Sequence, residues 1–454
     1  MKTYNQMMVM GTLALAFSAS AGAAVVSVID SGTDLGHSTL KDHKWVNSAD
    51  PDDALDNDDN GLIDDTHGWN FADGNNKLYD KKLVGTFSQD VYYFFEVQLR
   101  MLRGEATQAD LDWIQEHRSN QDFMKELGTF GNWVHGTHVA GIAARDSSEA
   151  QVMPLKIIPT RVGSVLTPAI LRQLGLRAES KADAREWIAK KALELLADQQ
   201  GKAMQPIGAY LAAHKPRVAN CSFGSSVKAL RPVIGPIVEA ILGHKLTEDE
   251  ANAYLSFFLG QVLAKMEPAL IASSPKTLFV IAAGNDGTDN DVLPTAPANI
   301  KRENTIAVAA TMGVDQLASF SNYGATMVEI AAPGVGIKSA IPGETTLTVS
   351  GTSQAAPFVA NIATRVAEAN PALTIAQVKK VVLATVDQKS WLAGKVSSGG
   401  TANPDRAVFA AKASLTMPLE QAISQSMTAV SEYRPAGLHA KDAGFVLPLP
   451  TLLQ

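Results

Sequence analysis

Val25-Val26-Ser27-Val28-Ile29-Asp30-Ser31-Gly32 is a short apolar run that stops at a carboxylate and a glycine. A run of this length, bounded by a turn signal, predicts a strand buried on both faces. Asp30 at its end is costly in such a place unless it is hydrogen-bonded, and taken alone it reads better as a turn residue before Gly32. Runs of the same character recur at Val152 to Ile158, Val218 to Ser222, Thr277 to Ala283 and Thr305 to Ala309, with helical patterns between most of them. The alternation predicts an α/β, three-layer doubly wound fold with a mainly parallel central sheet. Ligands of such sheets sit beyond the carboxyl ends of the strands, so the chemistry is expected there.

Three further segments place a polar side chain beside glycines. In His135-Gly136-Thr137-His138-Val139-Ala140-Gly141, small residues predict a helix starting tight against its neighbours, with an imidazole at its N-terminal end. Two histidines three apart can share a helix face and bind zinc, but no Glu between them completes an H-E-x-x-H pattern. Val280-Ile281-Ala282-Ala283-Gly284-Asn285-Asp286-Gly287 leads a strand into an Asn flanked by glycines, which also suits an ordinary turn. In Ser350-Gly351-Thr352-Ser353-Gln354-Ala355-Ala356-Pro357, small residues precede a helix that Pro357 can enter in its first turn, and a plain N-cap is the simpler role for the serine.

Together these segments resemble the subtilisin-like serine peptidases, in the chain order Asp, His, Asn, Ser. The resemblance covers about residues 24–412 and skips three helical stretches. It implies that Ser353 is the nucleophile, His135 its general base and acid, and Asp30 the group that orients the imidazole, with Asn285 in the oxyanion hole. His138 is then a packing residue. It further implies that Ser222, Phe223, Gly224, Ala282, Ala283 and Gly284 edge the primary specificity pocket and pair with extended peptide. Val292-Leu293-Pro294 would lie at the pocket floor, where Asp289 and Asp291 make a preference for basic side chains conceivable. Gln354 stands where many relatives carry Met, which removes an oxidation-sensitive position. A peptide-binding pseudoprotease with an occluded cleft and a metallopeptidase built on His135 and His138 are the competing readings. An active enzyme should gain activity as His135 loses its proton.

The rest of the chain sets the context. Lys2, an apolar stretch from Val9 to Phe17 and Ala21-Gly22-Ala23 read as a secretory signal over residues 1–23, so a secreted or periplasmic protein is expected. Only about six residues then precede Asp30, and no folding propeptide is expected. With 454 residues, 46% of them hydrophobic, a large core is possible. A formal charge of -7 gives no general reason to favour nucleic acid or an anionic membrane, so protein or peptide substrates are the expected partners. Cys221 is the only cysteine, which excludes an intramolecular disulfide and reads as a small buried residue.

The helical insertions are expected over about 75–130, 160–215 and 227–274, with helix starts at Thr107 and Thr247. A tail of unreadable role follows over residues 413–454. No cofactor is needed for the chemistry; Asp56, Asp58, Asn60 and Asp64, whose spacing with Gly61 follows the first half of an EF-hand loop, are candidate ligands of a structural calcium, with a solvated acidic turn as the competing reading. The twelfth position is His67 instead of Glu, so the full coordination set is not reached.

Overall fold

The computed structural model describes residues 24–161 and 182–434. The expected signal, part of the second insertion and the last twenty residues lie outside the described residues. Strand β1 (Val25–Asp30) is followed in chain order by β2 (Trp69–Asn70), β3 (Gln151–Lys156), β4 (Val218–Cys221) and β5 (Ser225–Ser226). Then come β6 (Leu278–Ala282), β7 (Thr295–Ala296), β8 (Thr305–Met312), β9 (Gln316–Leu317) and β10 (Ile330–Pro333). The last are β11 (Ile337–Ile341), β12 (Thr345–Val349), β13 (Asp387–Gln388) and β14 (Gly400–Thr401). The main sheet runs β13-β14-β10-β8-β6-β4-β1-β3-β2. All its pairs are parallel except β13 with β14 and the side pairing of β9 with β8.

Side chains alternate across this sheet, and both sets are buried. Val26, Val28, Val218 and Val280 face α3 (Gln121–Ala143), α7 (Thr352–Ala369), α8 (Ile375–Ala384) and α9 (Pro404–Ala413). Ile29, Ala219, Phe279 and Ile281 face α4 (Ala182–His214), α5 (Val227–Leu242) and α6 (Glu248–Met266). Helices on both faces explain why the strands read as continuous apolar runs, and they make the three layers the sequence predicts.

Helices α1 (Gln89–Arg103) and α2 (Gln108–Ser119) lie in the first expected insertion, and Thr107 caps α2 in a reciprocal capping box with Asp110. Thr247 and Glu250 make the same box at the start of α6. One local expectation fails: the helix that carries His135 does not begin there. It starts at Gln121, about four turns earlier, with Asn120 as its cap. The cause is an apolar stripe of Phe123, Leu127, Phe130 and Val134, which packs against Val91, Phe94 and Phe95 of α1 and keeps the chain helical into the His segment. In the tail, α10 (Leu419–Ala429) sets Ile423 into the core.

Candidate active site

The end of β1 and the middle of α3 meet at the first pair. Asp30 is fully buried, and its Oδ1 accepts from the Ser31 N–H and lies 2.7 Å from His135 Nδ1. A carboxylate bonded at Nδ1 leaves Nε2 of the ring as the position facing outward. Close approach of the two elements requires Gly136, since an added Cβ would stand 2.1 Å from the Gly32 carbonyl oxygen. Asp30 Oδ2 has no hydrogen-bond partner among the described residues.

Lys156 supports the turn after Asp30. Its buried Nζ donates to Ser31 O (2.8 Å), Ile158 O (2.9 Å) and Thr160 Oγ1 (2.9 Å). Burial pushes its pKa down to about 8, opposed by the charges of Asp73, Asp30 and Asp80. Sequence reasoning passed over this residue, although a lysine inside the apolar run Val152 to Ile158 is itself a signal, because unpaired buried lysines are rare.

Ser353 is the second residue of α7, with Gly351 at the N-cap. It reaches the strand next to Asp30: Ile29 pairs with Cys221, which puts Ser222 level with Asp30 on the neighbouring chain, and parallel strands lie about 4.8 Å apart. There Ser353 Oγ donates to the Ser222 carbonyl oxygen (3.2 Å), and Ser222 Oγ donates to the Ser353 carbonyl oxygen (3.0 Å). Among the described residues Ser353 Oγ makes no hydrogen bond to His135, so the hydroxyl and the imidazole sit over adjoining strand ends without being joined.

Asn285 is fixed from the same helix. Its Oδ1 accepts from Thr352 N (2.9 Å) and Thr352 Oγ1 (2.8 Å). The amide nitrogen is thereby turned toward Gly351, where a Cβ would lie 3.4 Å from Asn285 Nδ2 and 3.6 Å from Ser353 N. The nearest atom to that position is Gln354 Oε1, at 2.8 Å, so the Asn285 amide, the Ser353 N–H and the Gln354 amide oxygen all gather at the start of α7. Gly284 precedes them at φ +119, where a Cβ would stand 2.3 Å from Asn322 Nδ2. Asn322 Oδ1 in turn accepts from Asp286 N (2.9 Å) and Thr288 N (3.2 Å), bracing this loop. Neither Thr352 nor Asn322 was singled out from sequence, because their partners lie 67 and 36 residues away.

The other expected residues fall as follows. His138 is buried, and its Nε2 lies 3.1 Å from both the Ile337 and Leu347 carbonyl oxygens, with the Gln354 amide 3.5 Å from Nδ1. Burial pushes its pKa down to about 3. The ring therefore ties α3 to the β11–β12 hairpin, apart from the contacts of His135. Ser222, Phe223 and Gly224 follow β4, and Phe223 lines a small apolar hollow with Gly224, Ser225, Ala296 and the α6 residues Phe258 and Val262. The third insertion thus walls the ground beside this edge. Ala282 ends β6, Ala283 N donates to Val308 O (3.0 Å), and Gly284 N donates to Thr352 Oγ1 (3.2 Å), so this edge is bonded inward. Asp289 Oδ1 accepts from Asp291 N, and the Asp291 carboxylate accepts from Thr326 N and Met327 N. Cys221 is buried in β4, and burial pushes its thiol pKa up.

The acidic loop caps its own backbone. Asp56 accepts from the Asn60 and Gly61 amides, Asp64 from those of Asp53 and Ala54, and Asn60 Oδ1 from Leu62 N. Asp58 Oδ1 accepts from the Asn60 backbone amide (3.3 Å), and its Oδ2 accepts from the Asn47 side chain (3.0 Å).

A family model described as Peptidase_S8, the subtilase family, matches residues 22–408, and the chain belongs to that family. It is 38% identical over 117 residues to Subtilisin Savinase of Lederbergia lenta, a match covering 26% of this chain and 41% of that one. It is 47% identical over 87 residues to the Thermophilic serine proteinase of Bacillus sp. (strain AK1), covering 19% and 20%. The match to Alkaline elastase YaB of Bacillus sp. (strain YaB) is 38% over 117 residues, covering 26% and 29%. The aligned stretches thus span less than half of each of these relatives. Among solved structures, a cold adapted subtilisin-like serine proteinase aligns over 84% of this chain and 88% of its own, at 18% identity and a TM-score of 0.42.

Proposed function

We propose that this subtilase is a secreted serine endopeptidase in which Asp30, His135, Ser353 and Asn285 carry the reaction. The observation that carries the reading is the 2.7 Å contact of buried Asp30 with His135, one strand away from Ser353. Ser353 Oγ leaves the Ser222 carbonyl by rotation about χ1 and attacks the scissile carbonyl carbon, passing its proton to His135 Nε2. Such contacts are often loose before substrate binds. Asp30 fixes the ring and stabilises its cationic form. The oxyanion lies between Asn285 Nδ2 and Ser353 N–H. Collapse expels the amine with the proton from His135, and water, deprotonated by the same ring, releases the acyl group from Ser353. The edge Ser222–Gly224 is the candidate for pairing with extended substrate.

Secretion rests on the N-terminal pattern of Lys2 and the apolar stretch; among the described residues no helix is long and apolar enough to cross a membrane. A second reading, a silent peptide-binding relative, is favoured by the bond of Ser353 Oγ to Ser222 instead of His135. One experiment separates them. An active-site phosphonate probe, located by mass spectrometry, is expected on Ser353 and absent from Ser353→Ala, with a peptide library digested only by the wild type. Unlabelled Ser353 together with an undigested library would establish the silent reading.

A further inference from the structure

Asp58, Asp65 and His214 lie outside the site just described, where the loop between β1 and β2 meets the C-terminal end of α4. Each turns one donor atom inward, and the three atoms all lie within 4.8 Å of one another. The Asp65 side chain is completely buried, with Oδ2 3.8 Å from His214 Nε2, too long for a hydrogen bond. Asn47 Nδ2 donates to both Asp58 Oδ2 (3.0 Å) and Asp65 Oδ1 (2.6 Å), and Asn60 Nδ2 donates to Asp65 Oδ2 (3.1 Å). The amides hold two carboxylates side by side that would otherwise repel.

Two buried polar atoms at this place have no hydrogen-bond partner among the described residues: His214 Nε2 and the Tyr210 hydroxyl. Tyr210 is only 4% exposed; its hydroxyl sits beside the Asp65 carboxylate, whose charge and hydrogen-bonding reach act on it along with the charges of Asp58 and Asp50, but no bond of full hydrogen-bond geometry forms. Orphaned buried polar atoms are few in folded proteins, and two facing one pair of carboxylates call for a common explanation.

We propose that Asp58, Asp65 and His214 bind one divalent transition-metal ion, with zinc as the representative. Two carboxylates balance its charge, and the imidazole supplies a nitrogen that favours such an ion over calcium, which selects oxygen ligands. The ring is held between Trp45 (centroids 5.0 Å) and Tyr210 (4.2 Å), and Asn47 and Asn60 hold the carboxylates, the outer support that metal ligands require. Three protein ligands leave a fourth tetrahedral position, and the Tyr210 hydroxyl is the group at hand to bond a water there. The carbonyl end of a helix also favours a cation. This site shares only Asp58 with the candidate calcium ligands read from sequence. It joins the acidic loop to the helix that leads into β4.

The test uses the full chain carrying Ser353→Ala, stripped with chelator and dialysed, then titrated separately with zinc, manganese and calcium chloride by calorimetry and by thermal unfolding. Expected are one zinc per chain at this site, a rise in Tm with zinc, weaker effects of calcium, and a change in fluorescence from Trp45 that Trp45→Phe removes. His214→Ala and Asp58→Asn, each checked for folding by circular dichroism, should weaken zinc binding at least about tenfold. Asp56→Ala should not. Zinc binding that is absent, that is unchanged in both Asp58→Asn and His214→Ala, or that calcium matches in strength would overturn the assignment.

Discussion

Ser222 supplies the Ser353 carbonyl with the hydrogen bond that its own helix cannot give. In α7 the donor four residues on would be the N–H of residue 357, but that residue is Pro357, which has none. The Ser222 hydroxyl, 3.0 Å away and itself accepting from Asn220 Nδ2 (2.9 Å), takes the place of that donor. Ser222→Ala should therefore leave a buried carbonyl without a partner and cost about 1–3 kcal/mol of stability. Urea unfolding in a Ser353→Ala background measures it; an unchanged midpoint would show that the helix start is held by other contacts.

On the proposed role, Asn285→Ala should lower kcat by about 10²- to 10³-fold, the loss subtilisin suffers when its side-chain oxyanion donor is removed. Thr352→Val should act in the same direction but less, because it removes the Oγ1 donor that orients Asn285 and leaves the Thr352 N–H bond in place. In both variants KM should move little, since the interaction forms in the transition state. A loss confined to KM would place Asn285 in substrate binding instead.

Acid should weaken the fold through His138. Its folded pKa of about 3 lies below the ordinary value of 6.5, so between these pH values the unfolded chain binds a proton that the folded chain does not. The stabilisation is present above pH 6.5 and is lost as pH falls toward 3, with an upper limit of about 5 kcal/mol. The difference in unfolding free energy between the chain and its His138→Gln variant should shrink over this range, and a constant difference would refute the assignment.

Lys156 gives the opposite end of the pH scale. Its folded pKa of about 8 is below the ordinary 10.5, so between the two the folded chain holds fewer protons and stability rises with pH. Relative to Lys156→Met, the parent should gain stability from pH 8 to 10.5, both measured in the Ser353→Ala background. Lys156→Met should also lower turnover, because the turn carrying Asp30 loses the Nζ bond to the Ser31 carbonyl.

The fold was legible because both faces of the sheet are covered, so β1, β4, β6 and β8 appear in the sequence as plain apolar runs. The residues proposed to carry the reaction stood out only together: Asp30, His135, Asn285 and Ser353 each sit where a run or a helix meets small residues, and it is their order in the chain, through the resemblance, that lifts them above ordinary turn and cap residues. What holds them in place was not legible. Thr352 and Asn322 act through partners distant in the chain, and the spacing of the sequence carries no mark of those contacts; Lys156 does stand out inside its apolar run, but its bond to the Ser31 carbonyl, 125 residues away, is not marked there. The start of α3 was misplaced because Gly136 and the small residues after it look like a helix entry, while the aromatic stripe from Phe123 to Phe130 extends the helix from the other side. The acidic loop shows the same limit: its spacing displays Asp56 and Asp64, but His214 arrives from a helix some 150 residues later.

The shared helix has a further consequence for how this chain can be rebuilt. Since α3 begins among the aromatic side chains of α1 and ends in the sheet core, the segment from Gln89 to Ser119 is no detachable ornament. Cutting it out would strip Phe123, Leu127 and Phe130 of their cover and leave the imidazole on a mast with no footing. Transplanting it onto a shorter relative would require grafting the whole of α3 along with it.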